Sequence, residues 1–234
     1  MSSSSAYVRH VAHRFDELAG RFPDTLDPRD FRLSALGEAI GPWDGRVVLD
    51  LGCGKGRFGR HLRDRGARVV GLDVAFGMLD GGDGPARVQG SALSLPFRDA
   101  AFDVVLAVEM IQHLPPRGLE RVLAEIGRVL KPEGHLAVID RNPGALDPKR
   151  PWLPALVVKE IDQARGRWMY PRNGPVQERW QWPARFGARM SRLFDDVAWS
   201  YLLSPAEANR PVFRRMEQAR RFVLWTARGR GDSA

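Results

Sequence analysis

The stretch VVLDLGCGKGRFG, residues 47–59, places a glycine loop directly after a short apolar run. Counted from Gly52, through Gly54 and Gly56, its spacing is G-x-G-x-G. Counted from Gly54, through Gly56 and Gly59, it is G-x-G-x-x-G. Glycine is needed in either reading because the backbone turns sharply and approaches a ligand with no side chain in the way. The helix that follows then points free N–H groups at that ligand. The first spacing suits a methyl donor built on adenosine, the second a dinucleotide. Two neighbours favour the first. The residues Gly52 and Cys53 intervene before Gly54, where a dinucleotide fingerprint would have the strand run straight in. Asp50 is awkward beside a negatively charged pyrophosphate, whereas it suits a ligand carrying an ammonium and a sulfonium.

Asp73 ends the next apolar run, ARVVGLD. A carboxylate at a strand end can accept hydrogen bonds from both hydroxyls of a ribose, which serves NAD and S-adenosylmethionine alike.

These residues must be positioned by an alternation of strands and helices. RVVLDL, ARVVGLD, ARVQG, FDVVLAV and HLAVID read as successive buried strands. Between them, GRFGRHLRDRG and AFGMLD read as helices. So do residues 116–130, where Leu119, Val122, Leu123, Ile126, Val129 and Leu130 share one face, with Pro116 in the first turn and KPEG as the stop. Helical patterns over 6–19 and 30–40 open the chain. A helix at 184–194 and the strands VAWSYLL and RFVLWTA close it. Strands alternating with helices imply a doubly wound parallel sheet whose ligands bind beyond the carboxyl ends of the strands.

A chain of 234 residues fits one such α/β domain over 1–234. Its parts are N-terminal helices at 1–44, a donor-binding core at 45–140, an insertion at 141–182, and a C-terminal helix with two strands at 183–234. The insertion is proline-rich, carries Trp152, Trp168, Trp180 and Trp182, and reads as a lid over the acceptor side. A single cysteine excludes an internal disulfide and a cysteine-based metal cluster. The N-terminus lacks the apolar core of a signal peptide, and no apolar run is long enough to span a bilayer, so a cytoplasmic protein is expected. The net charge of +8 lies wholly after residue 140.

The run LDLGCGKGRFGRHL, with VVGLDVAFGML, VQGSALSLPFRDAAFDVVLAVEMIQHLPP and LAEIGRVLKPEGHLAVID, resembles the class I S-adenosylmethionine-dependent methyltransferases. It is most similar to their large small-molecule group. The resemblance implies a Rossmann-like, mostly parallel seven-stranded sheet with an antiparallel last strand, and S-adenosylmethionine as cofactor. It places Asp50, Gly52, Gly54 and Gly56 around the methionine end of the donor, with Cys53 as a small filler, and Asp73 on the ribose. It places Val74 and Met78 against the adenine, Ser91 and Ala92 at the adenine amino group, and Glu109 beside the methionine portion. Ser91 departs from the acid usual there, and Glu133 replaces the first glycine of the usual KPGG. His113 falls where some O-methyltransferases of this fold keep a base, a role imidazole suits at neutral pH. His10 and His13, on the first helix, are lesser candidates.

Three acceptor classes are disfavoured. The Asn/Asp-Pro-Pro-aromatic run of amino-group DNA methyltransferases is replaced by VEMIQHLPP. The one cysteine lies in the donor loop rather than at a cytosine-C5 nucleophile position. Only Glu109 follows the fourth strand, where a catechol-type metal site would need clustered carboxylates. The expected acceptor is a small molecule, anionic or ring-bearing, methylated on oxygen. Arg165, Arg167, Arg172 and Arg179 would clamp it beside Trp168, Tyr170 and Trp180. Two other readings are C-methylation of an isoprenoid quinone precursor, with a lipid-like acceptor, and RNA binding through the basic C-terminal third. The lack of a recognised RNA-binding module ranks the nucleic-acid reading last.

Overall fold

In the computed structural model, which describes residues 3–80 and 86–230, the strands form one seven-stranded sheet. The first and last residues of the expected 1–234 unit lie outside the described residues. Two helices, α1 (Ser3–Leu18) and α2 (Phe31–Ile40), precede β1 (Val47–Leu51). Then come α3 (Arg57–Arg63), β2 (Arg68–Asp73), α4 (Phe76–Leu79), β3 (Ala86–Gln89), β4 (Phe102–Val108), α5 (Leu119–Val129) and β5 (Leu130–Arg141). After α6 (Ala155–Ala164) and α7 (Pro183–Met190), the chain returns to the sheet as β6 (Phe194–Leu202). It leaves through α8 (Pro205–Ala208) and α9 (Pro211–Arg215) and ends in β7 (Phe222–Gly229).

The strand order is β3-β2-β1-β4-β5-β7-β6. Strands β1 to β5 pair in parallel, and β7 runs antiparallel to both β5 and β6. This is the Rossmann-like arrangement expected from the sequence. The order reverses between β1 and β4, so the crevice that receives ligands in such sheets opens beyond their carboxyl ends. Both faces are covered. Leu49, Leu51, Val105 and Val138 pack with the apolar face of α5, where Leu119, Val122, Leu123, Ile126 and Val129 are buried. Val48, Val104, Leu106 and Ile139 pack on the other face with Leu33, Leu36 and Ile40 of α2 and with Phe58 and Leu62 of α3. Burial on both faces explains why the central strands read as continuous apolar runs.

Three local readings change. Helix α5 starts at Leu119, because Pro116 lies in the preceding turn and Gly118 is the cap. KPEG is no stop: Leu130 turns extended and pairs with Phe102, so helix passes directly into strand. The pairing shifts between Phe102 and Val104 while Glu133 takes φ 60, the conformation that glycine adopts more easily. The insertion also contains a helix of its own, α6, anchored by buried Val158, Lys159 and Gln163.

Candidate active site

A cavity of about 220 Å³ lies beyond the carboxyl ends of β1, β2 and β4. Asp50 reaches it from the end of β1, Gly52, Cys53 and Gly54 from the loop that follows, and Asp73, Val74 and Met78 from the end of β2 and α4. Ser91 and Ala92 follow β3, and Glu109 and His113 follow β4. The fold thus gathers His113 and every residue expected around the donor except Gly56. Gly56 instead caps α3 with φ 70, where its left-handed backbone lets the helix start immediately after the loop.

The loop has to be glycine for reasons visible in place. Gly52 has φ 74 and a Cβ there would run into Met110; Gly54 has φ 51 and its Cβ would come within 2.9 Å of Met78 Cε. Asp73 ties the loop to the sheet: Oδ2 accepts the Gly54 N–H at 2.8 Å and Oδ1 the Ala75 N–H at 3.0 Å. Each oxygen keeps a lone pair for a further donor, and burial pushes this carboxyl above its ordinary range. Asp50 is more confined. Its Oδ2 is buried with no partner, and burial, reinforced by Asp73 and opposed by the Gly59 N–H, raises its pKa to about 7. A cationic ligand in the cradle would satisfy that oxygen, so the residues present fit S-adenosylmethionine. Cys53 is inert there: burial, then Asp50 and Asp73, push its thiol far up. Ser91 Oγ accepts the Leu93 N–H at 3.2 Å and so shapes its own turn.

Glu109 sits at φ 53 and is held by two arginines. Arg32 Nη1 donates to Oε2 at 2.5 Å and Arg141 Nη2 to Oε1 at 3.2 Å. Arg32 is itself fixed by a two-pronged contact to Asp30, at 2.9 and 2.8 Å. Burial alone would raise the Glu109 pKa, but Arg141 and Arg32 outweigh it and keep the carboxylate ionised.

The other end of the cavity is roofed by α1 and by the loop after α6. Val8, Val11 and Phe15 face it from the helix, Met169 and Glu178 from the loop. The two pieces hold each other: Tyr7 donates to the Gln177 carbonyl at 3.0 Å and Arg14 Nε to the Met169 carbonyl at 2.7 Å. Val11, Tyr170 and Val176 form the small apolar core beneath.

His113 is buried at this end, in a 3-10 turn (Ile111–His113), edge-on to Phe15 at 5.1 Å between ring centres. Tyr170 Oη lies 3.1 Å from Nδ1, and Gln112 Nε2 lies 3.3 Å from Nε2. With the Gln112 amide donating, Nε2 is the acceptor and Nδ1–H faces the tyrosine oxygen. Burial drops the His113 pKa to about 4, with Glu178 opposing that shift, so the ring is neutral at pH 7. Gln112 Oε1 is buried and has no partner. Glu178, also buried, accepts the indole N–H groups of Trp168 at 3.1 Å and Trp180 at 3.2 Å on one oxygen.

The expected arginine clamp does not line the cavity. Arg165, Arg167 and Arg172 are exposed; Arg167 pairs with Asp162 at 2.8 Å and Arg172 with Glu160 at 3.7 Å. Arg179 donates to Tyr7 Oη at 3.0 Å and to the Gln177 carbonyl at 3.2 Å, serving the roof. Tyr170 also serves the roof, while Trp168 and Trp180 orient Glu178. His10 and His13 are exposed and outside this cavity. Four residues escaped the sequence reading: Arg32, Gln112, Arg141 and Glu178. Only Arg141 carried a positional signal, since it ends the fifth strand at the ligand edge.

Residues 49–138 match the family described as "Methyltransferase domain". Among curated relatives, the demethylmenaquinone methyltransferase of Thermobifida fusca is 34% identical over 151 residues, covering 56% of this chain and 61% of that protein. The ubiquinone biosynthesis O-methyltransferase of Leptothrix cholodnii is 30% identical over 151 residues, covering 59% and 63%. This chain therefore spans about three-fifths of the length of these two relatives. A solved Haloferax volcanii complex of the methyltransferase activator Trm112 with a methyltransferase matches the fold at TM-score 0.69 and 20% identity, over 96% of this chain and 99% of that one. Residues 49–138 thus carry the match to a methyltransferase domain, and the cofactor that the S-adenosylmethionine-dependent class implies is S-adenosylmethionine. Among the described residues no helix is long and apolar enough to cross a membrane.

Proposed function

We propose that this protein methylates an oxygen atom of a small ring-bearing molecule, with S-adenosylmethionine as donor and His113 as proton acceptor. The observation that carries the reading is the unpartnered Asp50 Oδ2 beside a glycine cradle, in one cavity with Asp73 and His113. When bound, the donor supplies a sulfonium-activated methyl group that leaves to a nucleophile. The protein's own contribution is alignment and proton removal, and alignment is worth up to about 7–11 kcal/mol in favourable systems. Asp73 and the glycine loop fix one reactant. Phe15, Met169 and His113 enclose the other and exclude water. The acceptor hydroxyl displaces the Gln112 amide from His113 Nε2, its proton passes to that nitrogen as the oxygen forms its new bond to the methyl carbon, and Tyr170 at Nδ1 holds the ring in that tautomer. Glu178 favours the imidazolium that results.

The Thermobifida relative supports a second reading, C-methylation of a quinone precursor, which would need no hydroxyl proton removed. Two measurements test the proposal. Calorimetry should show S-adenosylmethionine and S-adenosylhomocysteine binding and NADH failing to bind; the reverse would end the methyltransferase reading. A metabolite screen for acceptor-dependent S-adenosylhomocysteine, followed by mass and NMR analysis of the product, then separates O-methyl from C-methyl.

A further inference from the structure

Arg141 lines the cavity, yet its guanidinium is only partly used. Nη2 donates to Glu109, while Nε and Nη1 are buried with no hydrogen-bond partner. Its plane lies among aromatic rings, 6.0 Å from Trp168, 5.8 Å from Trp180 and 5.6 Å from Phe222. Ring faces balance part of the charge, but they do not accept in-plane N–H groups as an oxygen does. Buried donors left in this condition are costly, and an acceptor oxygen on a ligand would relieve that cost.

The surroundings name the sign of that ligand. Among the described residues, Glu109 is the one carboxylate bonded to the Arg141 guanidinium, and it is shared with Arg32. Arg57 and Arg221 also act on Glu109. Arg221 is itself depressed to about 10, by burial first and by the charge of Arg141 next. Arg141 is itself a cation with two unfilled N–H groups, and Asp140, which precedes it, is held up at about pKa 7 by burial.

Position separates this site from the donor loop. Arg141 ends β5, which lies beyond β4 from the donor strands β1 and β2. The tryptophans against it belong to the roof that covers the acceptor end, and Phe15, His113 and Met169 line that end with two rings and a thioether.

We infer that the acceptor is a ring-bearing carboxylic acid whose carboxylate is received by Arg141, with its reacting hydroxyl toward Gln112 and His113. The inference rests on the methyltransferase reading and gives it a substrate class. Charge-assisted contacts to guanidinium are the strong ones in a buried site, so Arg141 acts as the specificity-determining residue.

The test is binding of two simple probes, benzoate and benzyl alcohol, to the protein saturated with S-adenosylhomocysteine, followed by calorimetry and by tryptophan fluorescence from Trp168 and Trp180. Wild type should bind benzoate at least about tenfold more tightly than benzyl alcohol. Arg141→Met should lose that preference and Arg141→Lys should keep part of it, while Glu109→Gln measures how much of any change in S-adenosylhomocysteine affinity passes through the Arg141–Glu109 contact. Equal binding of the two probes by wild type, or no saturable binding of benzoate, overturns the inference without needing any variant. A fall of about tenfold or more in S-adenosylhomocysteine affinity in Arg141→Met, beyond that seen in Glu109→Gln, also overturns it, because the donor's own carboxylate would then be the anion. Wild type that fails to bind S-adenosylhomocysteine at all removes the methyltransferase reading beneath it, an outcome distinct from the others.

Discussion

The two ends of the cavity are built on different principles. The proposed donor end comes from the ends of single parallel strands and the short stretches after them: Asp50 to Gly54 at β1, Asp73 to Met78 at β2, and Ser91 and Ala92 after β3. The acceptor end is assembled from α1, the turn at 111–113, the end of β5 and the loop at 165–182. Its decisive contacts span 57 residues from His113 to Tyr170 and 170 residues from Tyr7 to Gln177. A sheet edge can thus keep one ligand's cradle fixed while the roof above it is drawn from unrelated segments. Such roofs are where loop variation changes substrate on a constant scaffold.

The largest effect should come from the acceptor end. In His113→Gln a side-chain amide can still meet Tyr170 but cannot take a proton at neutral pH. If His113 is the base, turnover should fall by about 10²–10⁴ with S-adenosylmethionine affinity unchanged. A fall of less than about tenfold, accompanied by a lower Tm, would make His113 a packing residue and leave the acceptor end without an assigned base.

At the donor end, Asp73→Ala removes the two bonds that hold Gly54 and Ala75 as well as the proposed ribose contacts. Charged hydrogen bonds are worth about 1.5–3 kcal/mol, so S-adenosylmethionine affinity should fall about tenfold or more. Calorimetry on Asp73→Ala with unchanged affinity would take Asp73 out of the site. A comparable loss of affinity in His113→Gln would show that the two ends do not act separately.

That division also explains what could be read from the residues alone. Gly52 and Gly54 were legible because a backbone constraint dictates residue type, and the left-handed φ values of 74 and 51 are that constraint. Asp50 and Asp73 were legible because strand ends are fixed places. The parallel core was legible because strands buried on both faces must be apolar throughout. Gln112 and Glu178 carry no such local mark, and Arg141 has only its place at the end of β5. An arginine among 36 basic residues shows nothing until the fold seats Trp168 and Trp180 against it and leaves its N–H groups unpaired. The insertion arginines misled for the same reason: their number was visible, but their direction was set by α6 and its own acids.

The pH dependence sharpens the donor end further. Asp50 titrates near 7 in the folded protein against an ordinary 3.8, so between those values the folded chain holds a proton the unfolded chain has lost. This group alone therefore favours the fold toward low pH, and its contribution is lost as pH rises through about 7. His113 works in the opposite direction. Its folded value of about 4 lies below 6.5, so its contribution is present above 6.5 and is lost as pH falls toward 4. Because the two oppose, stability is a poor readout, and donor affinity is the better one. If a cationic donor needs Asp50 ionised, affinity should weaken by up to about tenfold per pH unit below 7 and level off above it. Asp50→Asn should flatten the profile. A pH-independent affinity in wild type would separate Asp50 from the donor.

The smallest expected effect concerns the arginines that the sequence pointed to first. Arg167 and Arg172 meet Asp162 and Glu160 on the outer surface of the insertion, with side chains 59% and 66% exposed. Exposed pairs of this kind contribute about 0–1 kcal/mol and are screened further by salt. The double variant Arg167→Gln/Arg172→Gln should leave S-adenosylmethionine affinity and acceptor KM within about twofold of wild type, with Tm lowered by no more than a few degrees. A severalfold rise in KM would show that the insertion turns these side chains inward when the acceptor binds, and the anionic group would then have to be shared with Arg141. A loss of RNA binding in this variant, with a salt slope reduced by about one per arginine, would instead give the basic surface a partner of its own. With neither change, the basic surface stays outside catalysis and the acceptor end reduces to the groups that line its cavity.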